Sequence, residues 1–186
     1  MVLRVSVVNI ELRTIHHGDT EVDRGNTENR ALTMNEQYAE SLITFPLFHG
    51  FTVHGAKRLL DAGKVKEHAP GDTLLKEGDT ATFVLLVLTG KLEVFVERDG
   101  KDLVLTEARP GTVLGELAVL CGIPRSASIR AKEKSVVLEW SDDAFRVLLL
   151  RDPSLSQRIF REALRTLIEK ERSLIDSLVK AQGAGK

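Results

Sequence analysis

Within Gly111–Ser128 two short groups of residues have the types and spacing to grip an anion. The first is Gly115-Glu116-Leu117-Ala118, a glycine followed by a short helix-forming run. Gly115 lets the backbone approach a ligand closely. The turn from Glu116 to Leu120 presents unpaired N–H groups at its start, where negative charge is favoured. The second is Pro124-Arg125-Ser126-Ala127, a lone arginine at the start of a strand-like stretch. Its guanidinium is a planar fork suited to phosphate oxygens. Glu116 looks misplaced in a phosphate site because like charges repel. A sugar hydroxyl donating to its carboxylate removes the contradiction. A ligand with one singly charged phosphate and one free ribose hydroxyl satisfies every group.

The elements around this segment are short and β-rich. Thr73–Lys76, Phe83–Leu88, Leu92–Glu97 and Leu103–Thr106 read as strands, broken by Pro70-Gly71-Asp72, Glu77-Gly78-Asp79, Thr89-Gly90, Asp99-Gly100 and Pro110-Gly111. Turns about every ten residues point to an antiparallel barrel or roll rather than βαβ units. Leu92, Val94 and Val96 alternate with Lys91, Glu93, Phe95 and Glu97, as in a half-buried strand. Ser126–Ala131 and Val136–Trp140 supply two more strands.

Helices flank the strands. Thr33–Glu36 has the T-x-x-E form of a capping box, opening a helix that ends by Pro46. Thr52 caps a second short helix through Asp61. Ser141-Asp142-Asp143 starts a third, with acids in its first turn. Asp152-Pro153 opens a long last helix to about Lys180, with Asp as N-cap and Pro at the first helical position. Upstream, residues 1–11 could form one strand and residues 12–32 read as a loop or linker. The expected divisions are a 1–32 extension, a 33–152 roll with flanking helices, and a 153–186 lid or dimerisation helix with a short tail.

The last helix carries Phe160, Leu164, Leu167, Leu174 and Leu178 at alternating four- and three-residue steps, interrupted by Glu171. This is a fair coiled-coil seam. A second stripe, Ile159, Ala163, Ile168, Ile175 and Val179, widens the apolar face. We expect one part to pack on the roll and another to pair two copies.

Composition narrows the classes. The chain has 186 residues, 42% hydrophobic and 28% charged, which suits one globular unit with a real core. A net charge of -1 argues against a nucleic-acid partner but allows a small anion, which needs only one or two local cations. The single cysteine, Cys121, forms no internal disulfide and is expected to be a partly buried small residue. No basic region followed by a long apolar run opens the chain, and the longest apolar run, Phe83–Leu88, is far below the roughly 18–20 residues of a membrane span. A cytoplasmic location away from membranes is expected. His49, His54 and His68 lack H-x-H spacing, and no Ser/His/Asp or paired-acid set is evident. Neither a metal, nor a cofactor, nor catalysis is expected.

The segment resembles the phosphate-binding cassette of the cyclic nucleotide-binding domain family. That family includes bacterial catabolite activator proteins, regulatory subunits of cAMP-dependent protein kinase, and cyclic-nucleotide-gated channels. Its pattern, G-E-L-A, a spacer, then P-R-x-A, is met by Gly115–Ala118 and Pro124–Ala127. Gly71, Gly78, Gly90 and Gly111 match its turn glycines, Pro46–Phe48 its first helix, and the likeness spans about residues 44–180. It implies a mainly β fold, an antiparallel β-roll (double-stranded β-helix or jelly roll) with N-terminal helices, a short phosphate-cassette helix and C-terminal helices.

The resemblance also implies roles. Glu116 would bind the ribose 2′-hydroxyl and Arg125 the exocyclic phosphate oxygens. The N–H groups of Leu117, Ala118 and Ala127 would complete the cradle, with Gly115 at its neck. A Thr at the place of Ser126 goes with cGMP preference in this family, and Ser is common in cAMP binders, so cAMP is expected ahead of cGMP. The family's transcription factors carry a helix-turn-helix after the long helix; here only Ala181–Lys186 follow it. The chain is thus expected to act as a stand-alone sensor, signalling through its C-terminal helix to a second copy or to an effector protein that the sequence does not name. The alternative is a β-roll scaffold that binds no nucleotide.

Overall fold

In a computed structural model, residues 37–183 are described, except for the side chains at 170, 174, 177, 178 and 180–183. The strand expected over residues 1–11, the loop over 12–32 and the cap at Thr33–Glu36 lie outside this range.

A helical stretch over residues 37–42 leads to a 3-10 turn at Pro46–Phe48 and then to α1 (Val53–Asp61). Thr52 caps α1, its Oγ1 accepting the Gly55 N–H at 3.1 Å. Eight strands follow: β1 (Lys64–His68), β2 (Thr73–Leu75), β3 (Phe83–Thr89), β4 (Leu92–Arg98), β5 (Lys101–Ala108), β6 (Val113–Leu114), β7 (Ser128–Ala131) and β8 (Ser135–Ser141). The short α2 (Glu116–Cys121) lies between β6 and β7, and α3 (Asp142–Arg151) and α4 (Pro153–Gly183) end the chain. The strands form two four-stranded antiparallel sheets, in the orders β1-β8-β3-β6 and β2-β7-β4-β5.

The apolar patterns explain the layering. In β3 successive side chains point to opposite faces. Val84, Leu86 and Leu88 enter a core shared with the helices, while Leu85 and Val87 enter a second core between the sheets. A strand with both faces buried needs a continuous apolar run, which is why Phe83–Leu88 has no polar break. β8 divides the same way, with Val136, Leu138 and Trp140 toward the helices and Val137 between the sheets. β4 is buried on one face only: Leu92, Val94 and Val96 point inward, whereas Arg130 bridges Glu93 and Asp102 over the Phe95 ring on the outer face. The roll thus has a wet sheet, a central sheet and a helical layer.

Three polar anchors fix the helices. Trp140 Nε1 donates to Leu59 O at 2.8 Å, tying α1 to β8. Ser141 Oγ and Asp152 Oδ1 cap α3 and α4 by accepting the Ala144 and Leu155 N–H groups at 3.2 and 2.9 Å.

Several expectations are corrected. β1 was not expected, because Lys64–His68 is charged and edge-exposed; pairing with β8 makes it a strand. β7 starts at Ser128, not Ser126, because the preceding backbone follows the 78–79 turn. Cys121 is exposed rather than partly buried. It ends α2, where left-handed Gly122 turns the chain away, while Ala118 and Val119 face the core. On α4, Leu155, Ile159 and Ala163 are buried, whereas Phe160, Leu164 and Leu167 are 45, 59 and 43% exposed. The second stripe therefore packs on the roll over its first part, and the expected seam faces outward. The side chains of Leu174 and Leu178 lie outside the described set.

Candidate functional site

β6 delivers the chain to Gly115, whose φ of +78° starts α2 from the left-handed region. An ordinary residue pays about 1–2 kcal/mol there. The peptide then passes through α2 and returns along residues 122–127 to β7. Arg125 N donates to Asp79 O, and Gly78 N donates to Arg125 O, both at 2.9 Å. The turn between β2 and β3 therefore fixes the backbone from which the Arg125 side chain projects.

That side chain is buried, with 4% of the residue exposed. Nη1 donates to Gly115 O at 2.8 Å, and Nη2 donates to Phe83 O. The guanidinium carbon lies 5.1 Å from the Phe83 ring centroid, within cation–π range. Burial pushes the Arg125 pKa below the usual arginine value, and the through-space pull of Asp79 and Glu116 opposes this. The group still holds its proton, since arginine's ordinary value is far above neutral. Among the described residues no carboxylate forms an ion pair with it. A buried cation whose partners are carbonyls and a ring is a strong attractor for an anion.

At Gly115 the structure supplies a packing reason for glycine beside the expected close approach to ligand. A Cβ at this position would lie 2.5 Å from Arg125 Nη1 and 3.2 Å from Leu75 Cδ1. The missing side chain makes room for the arginine, and so joins the two halves of the cassette.

Glu116 is half-buried at the first position of α2, followed by half-buried Leu117 and buried Ala118. It lines a groove of about 460 Å³ between the Pro110–Val113 turn, Pro46, Leu47 and the α4 residues Arg158, Arg161, Arg165 and Thr166. Arg125 is not on that lining. Ser126 is exposed, and Ala127 is buried between the sheets. The structure thus puts Gly115 and Arg125 in contact, with Glu116 adjacent on the groove side.

Sequence reasoning missed the roles of Phe83 and Arg158. Phe83 acts through its carbonyl, which every residue has, and through its ring, which nothing in the sequence pairs with an arginine 42 residues on. Arg158 Nη1 donates to Leu47 O and His49 O, fastening α4 to the 3-10 turn from more than a hundred residues away. Among the described residues no cluster could hold a metal ion, and no helix is long and apolar enough to cross a membrane.

The family model for the cyclic nucleotide-binding domain matches residues 65–152. The chain is 30% identical over 133 residues to the cAMP-dependent protein kinase regulatory subunit of Colletotrichum orbiculare; the match covers 72% of this chain and 34% of that one. It thus spans about a third of that relative's length. The catabolite activator protein of Thermus thermophilus superposes with a TM-score of 0.63 at 27% identity, over 69% of this chain and 61% of its own. The regulatory subunit of a cAMP-independent protein kinase A from Trypanosoma brucei superposes with a TM-score of 0.65 over 78% of this chain and 53% of its own, and its 23% identity makes that a likeness of fold. The antiparallel roll, the Gly115–Ala118 turn joined to Arg125, and these matches identify the chain as carrying, over residues 65–152, a domain of the cyclic nucleotide-binding family.

Proposed function

We propose that this chain is a sensor that binds a cyclic purine nucleotide, cAMP ahead of cGMP, and passes the signal on through α4. The observation that carries the reading is the buried Arg125 guanidinium, held against Gly115 and without a paired carboxylate among the described residues. A cyclic phosphodiester brings one negative charge and several acceptor oxygens. Arg125 would pair with it. The N–H groups of Leu117, Ala118 and Ala127 would surround it, and Glu116 would accept from the ribose 2′-hydroxyl. Ser126, exposed beside the arginine, is where the purine would be told apart. The nucleotide is a ligand and undergoes no conversion.

The same reading divides the chain into an extension over 1–32, a binding roll over 33–152 and a signalling helix from 153. The outward stripe of Phe160, Leu164 and Leu167 supports pairing with a second copy or with an effector protein. A cytoplasmic location suits such a sensor. The first turns of α4 are seated in the core through Leu155, Ile159 and Ala163, so a moving lid must either uncover them or bend beyond Ala163.

One observation favours a second reading, a roll that binds protein and no nucleotide: Arg125 already donates to two carbonyls and does not line the groove beside Glu116. Calorimetric titration with cAMP and cGMP separates the two. The sensor reading expects saturable 1:1 uptake. Thermal melting with ligand at about 100 times its dissociation constant should show about 2.7 kcal/mol of stabilisation. No heat and no shift with either nucleotide would leave the scaffold.

A further inference from the structure

The short helix α2 ends on a carbonyl that its neighbouring amides do not take up. The Gly122 and Ile123 amides both donate to Ala118 O. A regular α-helical turn would send the Ile123 amide to Val119 O instead. Val119 is 1% exposed, so solvent is a poor substitute. The acceptor is satisfied from α3: Arg146 Nη2 donates to Val119 O across 27 residues of sequence. Arg146 Nε meanwhile holds Asp142 Oδ1 one turn earlier on the same helix. Asp142 is fixed in turn, its amide donating to Thr82 O at 2.9 Å.

A cavity of about 220 Å³ flanks this contact, lined among others by Thr80, Ala118, Gly122 and Pro124. α2 and α3 share the helix-facing core through Val119, Phe145 and Leu149, and on the cavity side the hydrogen bond adds a directional polar tie between them. The Arg146 side chain is 47% exposed, so replacing it removes the bond without opening a core void. At the far end of α3 the Asp152 amide donates to Leu148 O at 3.0 Å, and Asp152 Oδ1 caps α4. Asp152 thus closes α3 and opens α4, leaving a single residue between the two helices.

The geometry points to Arg146 as the positioning residue that couples the phosphate-cassette helix to the C-terminal helices. Its guanidinium ties the end of α2 to the start of α3, so the two shift together. The functional consequence rests on the nucleotide reading above; the strut itself does not.

Hydrogen exchange on the full chain tests this, using wild type, Arg146→Met, Arg146→Lys and Asp142→Asn. Without nucleotide, Arg146→Met should speed exchange in Glu116–Ile123 and Asp142–Arg151 together, by about fivefold, the usual weight of one such bond. Leu92–Arg98 should not change. Arg146→Lys, which still donates to a carbonyl, should recover at least half of the loss. Asp142→Asn, which keeps the guanidinium, should leave α2 near wild type. With saturating cAMP, Arg146→Met should still protect α2 but pass less than half of the wild-type change to α3 and α4. An Arg146→Met chain with wild-type exchange in α2, or with a full response in α3 and α4, overturns the coupling. A wild type that takes up no cAMP sinks the nucleotide reading instead, and the nucleotide-free comparison still decides the strut.

Discussion

The Arg125 guanidinium occupies the space that a side chain at Gly115 would fill. Nη1 donates to Gly115 O at 2.8 Å, and a Cβ at that glycine would come within 2.5 Å of the same nitrogen. The two groups, ten residues apart in sequence, are therefore one unit. A change at either must disturb the other.

Gly115→Ala should act twice. The left-handed backbone at position 115 costs a non-glycine residue about 1–2 kcal/mol, and the new methyl group must push Arg125 away. The melting temperature should fall, and cAMP affinity should drop by about tenfold or more, a loss of at least ~1.4 kcal/mol. Melting and calorimetry on the same preparation check both. Wild-type affinity in this variant would mean that the guanidinium position is unimportant for ligand.

Arg125→Ala removes the donor to Gly115 O and Phe83 O and the proposed partner of phosphate. Leaving buried acceptors unpaired costs about 1–3 kcal/mol of stability. Losing one side of a desolvated charge pair costs ~2–5 kcal/mol of binding, roughly 30-fold to several thousand-fold in affinity. Arg125→Lys should recover little, because an ammonium lacks the planar fork that makes the two-pronged contact. Calorimetry decides; an alanine variant within about threefold of wild type rules out this assignment.

Ligand choice should follow Glu116 and Ser126. We expect 2′-deoxy-cAMP to bind much more weakly than cAMP, since it offers Glu116 no hydroxyl. The 5′-monophosphate AMP should fail, as it carries nearly two charges and lacks the ring that fixes its phosphate. Ser126→Thr should move preference toward cGMP. Competition titrations measure all three, and tighter binding of cGMP than cAMP by wild type would overturn the reading of Ser126.

Neighbouring residues of α4 should behave in opposite ways. Ile159 is buried in the helix-facing core, and Ile159→Ala should destabilise the fold by about 2–5 kcal/mol. Leu164 is exposed, and Leu164→Glu should change the stability of the single folded chain by no more than ~0.5 kcal/mol. If the outward stripe joins two copies, Leu164→Glu should yield monomers in sedimentation where wild type gives dimers. Monomeric wild type at all concentrations would leave the stripe to an effector instead.

Local chemistry was legible in the sequence because it depends on near neighbours. Thr52, Ser141 and Asp152 announced three helix starts, and each caps its helix through an amide three residues on. The Leu92–Val96 alternation identified a one-sided strand, because side chains alternate between faces every residue. Glycine-marked turns implied antiparallel strands, and the paired G-E-L-A and P-R-x-A groups marked the cassette.

Whatever depended on distant backbone was decided only by the tertiary structure. Lys64–His68 has no strand pattern of its own and becomes β1 by pairing with β8, some seventy residues later. Either apolar stripe of α4 satisfies a helical period, and only the position of the roll selects Ile159 and Ala163 for burial. Arg125 could be singled out as a candidate partner for an anion, but not as a donor to Phe83 O, 42 residues away. Nor could Arg146 be linked to Val119 O, since a carbonyl acceptor leaves no mark in the side-chain alphabet. Caps and alternation are short-range interactions written in residue type, whereas these contacts use main-chain atoms that every residue shares, and only the packed fold selects among them.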